Sequence, residues 1–200
     1  PYRRQRQMCI RDRSGTQYTP EKGWDENKLD MFRRHIIQLG TTGVFVIYDE
    51  LEGKEAVTWS YLLHTVELPM EIQELTDEVK VIGKNKAGGV SVAHLFSSAK
   101  TEQAMVDTFF CAPTNWKNVT NAQGKTLKYP NHWHFSSTTV PCKTARFLTV
   151  MDTHGKNRPD MQVVRKGNTI QVGDWTITCN LTEKGLSLIH ISEPTRLRCI

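Results

Sequence analysis

No stretch of the 200 residues approaches the ~20 consecutive apolar positions that a membrane-spanning helix needs. There is no Cys-x-x-Cys pair, no internal repeat, no low-complexity tract and no internal linker. Helical spacing of apolar residues is scarce. The length suits one domain, or one layer of a larger protein. Apolar and charged fractions of 38% and 24% are ordinary for a folded chain.

The two ends are related in a way that folding has no reason to produce. Met8-Cys9-Ile10-Arg11-Asp12-Arg13 can be encoded by ATG TGT ATA AGA GAC AG and one further base. The reverse complement, CTG TCT CTT ATA CAC AT, reads in frame as Leu186-Ser187-Leu188-Ile189-His190 and opens the codon of Ile191. One inverted DNA element accounts for both ends, and it resembles the transposon adapter of a sequencing library. Residues 1–13 and 186–200 are therefore expected to be adapter artefact and are set aside. The other possibility is a basic N-terminal arm with a short C-terminal helix. Residues 14–185 are read as the protein, with its natural start, and any signal peptide, expected upstream.

Setting the ends aside changes the charge argument. They hold seven of the 26 basic residues and two of the 21 acidic ones, which leaves 19 of each. The overall pI near 9.0 would suggest nucleic acid or another polyanion as partner. The balanced core alone supports neither, and no nucleic acid and no membrane is expected as partner. Cys9 and Cys199 fall in the ends, leaving Cys111, Cys142 and Cys179. Odd in number and widely spaced, they are expected as buried free thiols, with a single disulfide left open in an exported protein.

What is present is strand after strand. Residues 31–39, the turn Gly40-Thr41-Thr42-Gly43 and residues 44–48 form a hairpin pattern. Further runs cover 57–66, 79–82, 90–96, 104–110, 132–139, 145–152, 161–165, 169–172 and 175–179. Residues 70–80 carry Met70, Ile72, Leu75 and Val79 at a loose helical spacing that equally suits an irregular crossover. Short strands separated by turns predict an all-β antiparallel sandwich rather than alternating βαβ units.

Three segments carry a resemblance. The first is Met31-Phe32-Arg33-Arg34-His35-Ile36-Ile37, followed by Val46-Ile47-Tyr48-Asp49-Glu50-Leu51-Glu52. The second is Trp59-Ser60-Tyr61-Leu62-Leu63-His64-Thr65. The third is Asn131-His132-Trp133-His134-Phe135, then Arg146-Phe147-Leu148-Thr149-Val150. In this order they resemble the heparinase II/III-like bacterial polysaccharide lyases. The resemblance implies that residues 14–185 are a fragment of the C-terminal β-sandwich, which in such lyases follows an (α/α) toroid. It implies β-eliminative cleavage of a uronic-acid-containing polysaccharide, either heparin- or heparan-like or alginate-like. A base takes the uronate C5 proton, an acid protonates the leaving oxygen, and donors neutralise the carboxylate. The toroid residues, the sandwich's catalytic histidine and the metal site of some relatives are expected upstream of Gly15. No catalytic residue and no cofactor or metal is therefore assigned within the chain. Its expected partners are the acidic polysaccharide and the upstream toroid, in the periplasm or outside the cell.

Four residues are weak candidates for substrate contact: Arg34, His132, Trp133 and His134. On a strand His132 and His134 share one face and Trp133 takes the other. Two histidines at that spacing can contribute to a zinc site, which needs more ligands than spacing supplies here. They can also line a sugar cleft; the expected reading is a half-buried strand with hydrogen-bonded histidines. Arg33 and Arg34 face opposite sides, so at most one reaches a given cleft. Either suits a planar anion, and one of them is expected to pair with a carboxylate such as Asp49 or Glu50 on the adjoining strand. His64 is expected as a satisfied core or interface histidine. Asp49, Glu50 and Glu52 are expected as solvated residues entering a turn at Gly53, short of what calcium needs. Trp24, Trp59, Trp116 and Trp175 are expected to pack in the core rather than stack on sugar. Asn118-Val119-Thr120 and Asn180-Leu181-Thr182 match the glycosylation triplet, which carries little weight in a bacterial protein.

Two classes of function remain. One is the lyase fragment, buttressing the toroid and forming a wall of the cleft. The other is a non-catalytic carbohydrate-binding sandwich, which rests on fold class alone. A metal enzyme built on the histidines lacks a readable ligand set.

Overall fold

The computed structural model describes residues 29–66, 68–107, 121–125 and 132–181 in full. It also gives the backbone of four short strands outside them. Cys111, Trp116 and the Asn118 triplet lie outside the described residues, as do the side chain of Trp24 and Thr182 of the second triplet.

Every regular element among the described residues is a strand. In chain order these are β1 (Met8–Ile10), β2 (Tyr18–Thr19), β3 (Gly23–Trp24), β4 (Leu29–Leu39), β5 (Val44–Val57) and β6 (Ser60–Val66). Next come β7 (Glu71–Glu74), β8 (Val79–Lys84), β9 (Gly89–Ser97), β10 (Thr101–Val106) and β11 (His132–Thr139). The last are β12 (Cys142–Gly155), β13 (Val163–Lys166), β14 (Thr169–Val172), β15 (Trp175–Thr178) and β16 (His190–Ser192). Their pairing is antiparallel throughout. The expected all-β antiparallel class is what folds.

A seven-stranded sheet, ordered β1-β4-β5-β12-β9-β8-β7, forms the middle of the molecule. A three-stranded sheet, β10-β11-β6, and a four-stranded sheet, β13-β14-β15-β16, complete the layers, beside the small β2-β3 ribbon. Alternation along β12 shows how the layers stack. Ala145 and Phe147 join Tyr61 and Phe135 of the three-stranded sheet in one core. Leu148 and Val150 join Ile170, Val172 and Ile177 of the four-stranded sheet in another. Side chains of successive strand residues point to opposite faces, so the middle sheet is covered on both. Burying each large aliphatic or aromatic side chain contributes roughly 1.5–3 kcal/mol, and both faces of β12 supply such residues. The ends expected to be adapter add one edge strand each, β1 beside β4 and β16 beside β15.

Two local expectations are corrected. Residues 70–80 are neither a helix nor a crossover: β7 and β8 pair as a hairpin, closed by Leu75 N–H donating to Glu78 O at 2.9 Å. Met70, Ile72, Val79 and Val81 all pack into one core, as period-two spacing on paired strands allows. Strand β5 does not end before Gly53 but runs on to Val57. β4 pairs with it as far as Gly53, with a register shift between Leu29 and Met31, and β12 as far as Val57, with one between Cys142 and Thr144. The shifts bend the ladder without breaking it. At the other end of β5 the β4–β5 turn needs its glycine. Gly43 has φ +78°, and a Cβ there would stand 2.6 Å from the Thr153 carbonyl oxygen.

Candidate functional site

The β4–β5–β12 region gathers residues from all three motif segments. Arg33 stands across from Glu50 and Arg34 across from Asp49, while β12 sets Arg146 beside Glu50 and Phe147 beside Asp49. Because neighbours alternate in facing, two clusters form on opposite sides of the middle sheet.

On the side of the three-stranded sheet, Arg34 donates to Asp49 through Nε at 2.6 Å and Nη2 at 2.7 Å. This is the bidentate fork that guanidinium and carboxylate geometry favours. Asp49 is 2% exposed, so the expectation of a solvated turn residue is overturned: an extended β5 carries it under a covering layer. The Asp49 hydrogen bonds push the Arg34 pKa above its ordinary value, against the opposing effect of burial, with the charges of Asp49 and Tyr61 adding. Tyr61 packs on Phe147 with ring centroids 5.8 Å apart. Burial raises the Tyr61 pKa; Asp49 adds to the rise, and Thr149 and Arg34 act against it.

On the opposite side Glu50, also 2% exposed, faces Arg33 Nη1 at 3.5 Å and His35 Nε2 at 3.4 Å. Tyr48 closes this cluster, its hydroxyl donating to Asn180 O at 2.9 Å. Both arginines thus pair with carboxylates on the adjoining strand, where one such pair was expected.

The histidine motif lies elsewhere. Trp133 packs inward with Phe135, while His132 and His134 take the outer face of β11. His134 stands across from His64, their rings T-shaped at 4.6 Å. His134 is buried, and burial lowers its pKa, with His64 and His132 contributing. His64 is exposed on that outer face, which corrects the core half of the expectation of a core or interface histidine: Tyr61 and Leu63 take the inward side of β6. Leu62 and Val66, 45% and 48% exposed, share the outer face with it. Arg34 and His134 therefore lie on opposite sides of the three-stranded sheet and do not share a site. No group of three or more His, Cys, Asp or Glu side chains converges as metal ligands do among the described residues.

Trp59 and Trp175 pack in the cores, as expected. Cys142 and Cys179 are free thiols; Cys179 is buried, which pushes its pKa up to about 11, with Arg165 opposing.

One polar network escaped the sequence reading. Asp152, fully buried, accepts from the Arg158 guanidinium and from Met161 N–H at 2.7 Å. His154 Nε2 meets Asp160 Oδ1 at 3.2 Å, and Asp160 Oδ2 meets Lys80 Nζ at 3.5 Å. The residues between β12 and β13 look like a solvated turn in sequence. Only the folded loop brings Arg158 back onto Asp152.

No family model matches the chain, and no curated protein matches it. The solved structure of the Heparinase III-BT4657 gene product is similar at 15% identity and TM-score 0.46, covering 81% of this chain and 23% of that one. A second structure, of the same product with methylated lysines, gives 16% identity and TM-score 0.41 at the same coverage. The chain thus spans 23% of the length of these structures.

Proposed function

We propose that the chain is part of the β-sandwich of a bacterial polysaccharide lyase, forming one wall of the cleft where an acidic, uronate-containing polysaccharide is cleaved by β-elimination. What supports this is the placement of the family-like segments. They meet on the adjacent strands β4, β5 and β12 and in the layer over them: Arg34 on Asp49 across β4 and β5, Phe147 beside Asp49 across β12, and Tyr61 of β6 on Phe147. A buried ion pair ringed by aromatic side chains is a rigid support for a neighbouring site. On this reading Arg34, His132, Trp133 and His134 contribute by shaping or bordering the cleft, and the proton-transfer groups come from upstream. An (α/α) toroid of the same chain is the proposed cover for the outer face bearing Leu62, His64 and Val66. The protein works in the periplasm or outside the cell, and any metal belongs to the upstream part.

The test is to recover the full reading frame from the same DNA and assay its product on heparin, heparan sulfate and alginate. The readout is ultraviolet absorbance of the unsaturated uronate. A rise on one of them is expected. A flat trace from well-folded full-length protein that still binds the sugars would replace this reading with a carbohydrate-binding module.

A further inference from the structure

Two basic turns, Lys84-Asn85-Lys86 and Lys156-Asn157-Arg158, meet at one end of the middle sheet. The first closes the β8–β9 hairpin, where Gly88 N–H donates to Asn85 O at 3.1 Å and Gly89 N–H to Asn85 Oδ1 at 2.8 Å. The second leaves the end of β12 and is joined to the first by Lys156 N–H donating to Gly88 O at 2.9 Å. Between them lies an open pocket of about 440 Å³, floored by Gly88, Gly89 and Gly155 and walled by Lys156, Asn157 and Arg158. Its volume falls within the roughly 300–1,000 Å³ of small-ligand sites. Its openness suits a unit of a longer chain rather than an enclosed molecule.

The pocket is pre-shaped. Buried Asp152 fixes both Arg158 and Met161 N–H, Arg158 also reaches Thr153 O at 3.2 Å, and the His154–Asp160–Lys80 chain ties the loop to β8. Gly88 has φ +87°, and a Cβ on it would press the Lys156 stem at 3.3 Å, so glycine here lets that lysine lie along the pocket. A Cβ on Gly155 would meet no atom within 4 Å; the floor there opens onto free space. Arg158 is neutralised by Asp152, whereas Lys156 has no carboxylate partner among the described residues. The available recognition set is therefore one free ammonium, one amide and a glycine floor close to the main chain.

We propose that this pocket is a subsite for a carboxylate-bearing sugar unit of an anionic polysaccharide, with Lys156 taking the carboxylate and Asn157 a ring hydroxyl. The class of ligand rests on the polysaccharide reading above. A nucleic acid is less well matched. None of the six residues named offers an aromatic face on which a base could stack.

The test titrates the 200-residue chain with an alginate oligosaccharide, a neutral dextran oligosaccharide and single-stranded oligo-dT. Lys156→Glu and Lys156→Gln are compared with Lys143→Glu, an exposed lysine at the opposite end of β12. Circular dichroism checks each fold. Loss of one charge-assisted contact weakens binding by about tenfold. That loss is expected for the uronate oligomer with both Lys156 variants, with Lys143→Glu within twofold of the parent and dextran not bound. Equal loss from Lys143→Glu, no loss from the Lys156 variants, or tighter Lys156-dependent binding of oligo-dT would each overturn the subsite. The lyase reading fails separately. Full-length protein that cleaves alginate with KM unchanged by Lys156→Gln keeps the enzyme and discards the subsite. Full-length protein that cleaves nothing, while the uronate oligomer still binds through Lys156, does the reverse.

Discussion

Asp49 and Glu50 are neighbours on β5, equally buried, and face opposite layers of the molecule. Asp49 receives a two-bonded fork from Arg34 at 2.6 and 2.7 Å. Glu50 has Arg33 and His35 of β4 and Arg146 of β12 around it, yet its contacts to Arg33 and His35 are 3.5 and 3.4 Å. Its Oε2 is buried without a hydrogen bond. The difference separates the number of charges around a carboxylate from the geometry with which they meet it. In a poorly solvated place the second governs, because desolvation is offset only by close, aligned donors.

That comparison breaks most sharply at Asp49. Asp49→Ala leaves Arg34 partly buried and unpaired, and unfolding in urea is expected to show a loss of about 3 kcal/mol. Replacing the pair together, Arg34→Met with Asp49→Leu, is expected to recover most of that loss, since an apolar pair of similar volume removes the desolvation cost. A double-mutant cycle then gives a coupling well above 1 kcal/mol. Additive losses would show that the fork contributes nothing as a pair. Glu50→Gln is expected to cost less, about 1 kcal/mol or below. The amide keeps the shape and ends the burial of an imperfectly bonded charge. A loss as large as that of Asp49→Ala would mean that Arg33, His35 and Arg146 hold Glu50 through more than the contacts named.

A second contrast lies within the three-stranded sheet. Its inward residues Tyr61 and Phe135 are buried against the middle sheet, while Leu62, Val66 and Val106 stand exposed outside. Exposed apolar residues gathered on one face lower solubility. Leu62→Thr, Val66→Thr and Val106→Thr combined are expected to raise the soluble yield of the chain severalfold without moving its melting temperature by more than a few degrees. Unchanged yield would remove the reason for proposing a cover on that face.

How much of this was readable in the sequence differs between the same regions. The bounds of β11 and β14 coincide with the runs read in the sequence, because each is rich in aromatic or β-branched residues and lies beside a turn. Pairing of one β4 arginine with Asp49 or Glu50 followed from a short hairpin, whose length fixes the register; that both arginines pair was not read. What could not be read depends on the third dimension. Gly53 looks like a turn until β4 is seen to pair with it and β12 to pair beyond it at Val57. The second covering sheet is invisible because β13, β14 and β15 have the same pattern whether they extend a sheet or lie over one. Asp152 reads as a strand residue near a polar loop; its burial becomes evident only when Arg158 and Met161 fold back to it.

The smallest expected effect sharpens the contrast between His64 and His134, two cross-strand histidines of which one is exposed and the other buried. Burial holds the His134 pKa below its ordinary value, with His64 and His132 adding to the depression. The unfolded chain therefore takes up a proton at this histidine before the folded one does, as pH falls through about 6.5. By linkage, the folded state loses stability from that point down to the lowered folded pKa and none further below it. His134→Gln removes the group and should flatten the fall in urea midpoint between pH 7.5 and 5.5. His64→Gln should shrink it only in part, by removing one neighbouring charge. If His134→Gln leaves the slope of midpoint against pH unchanged, the acid sensitivity of the fold lies in its ion pairs, and the outer face of β11 is neutral ground.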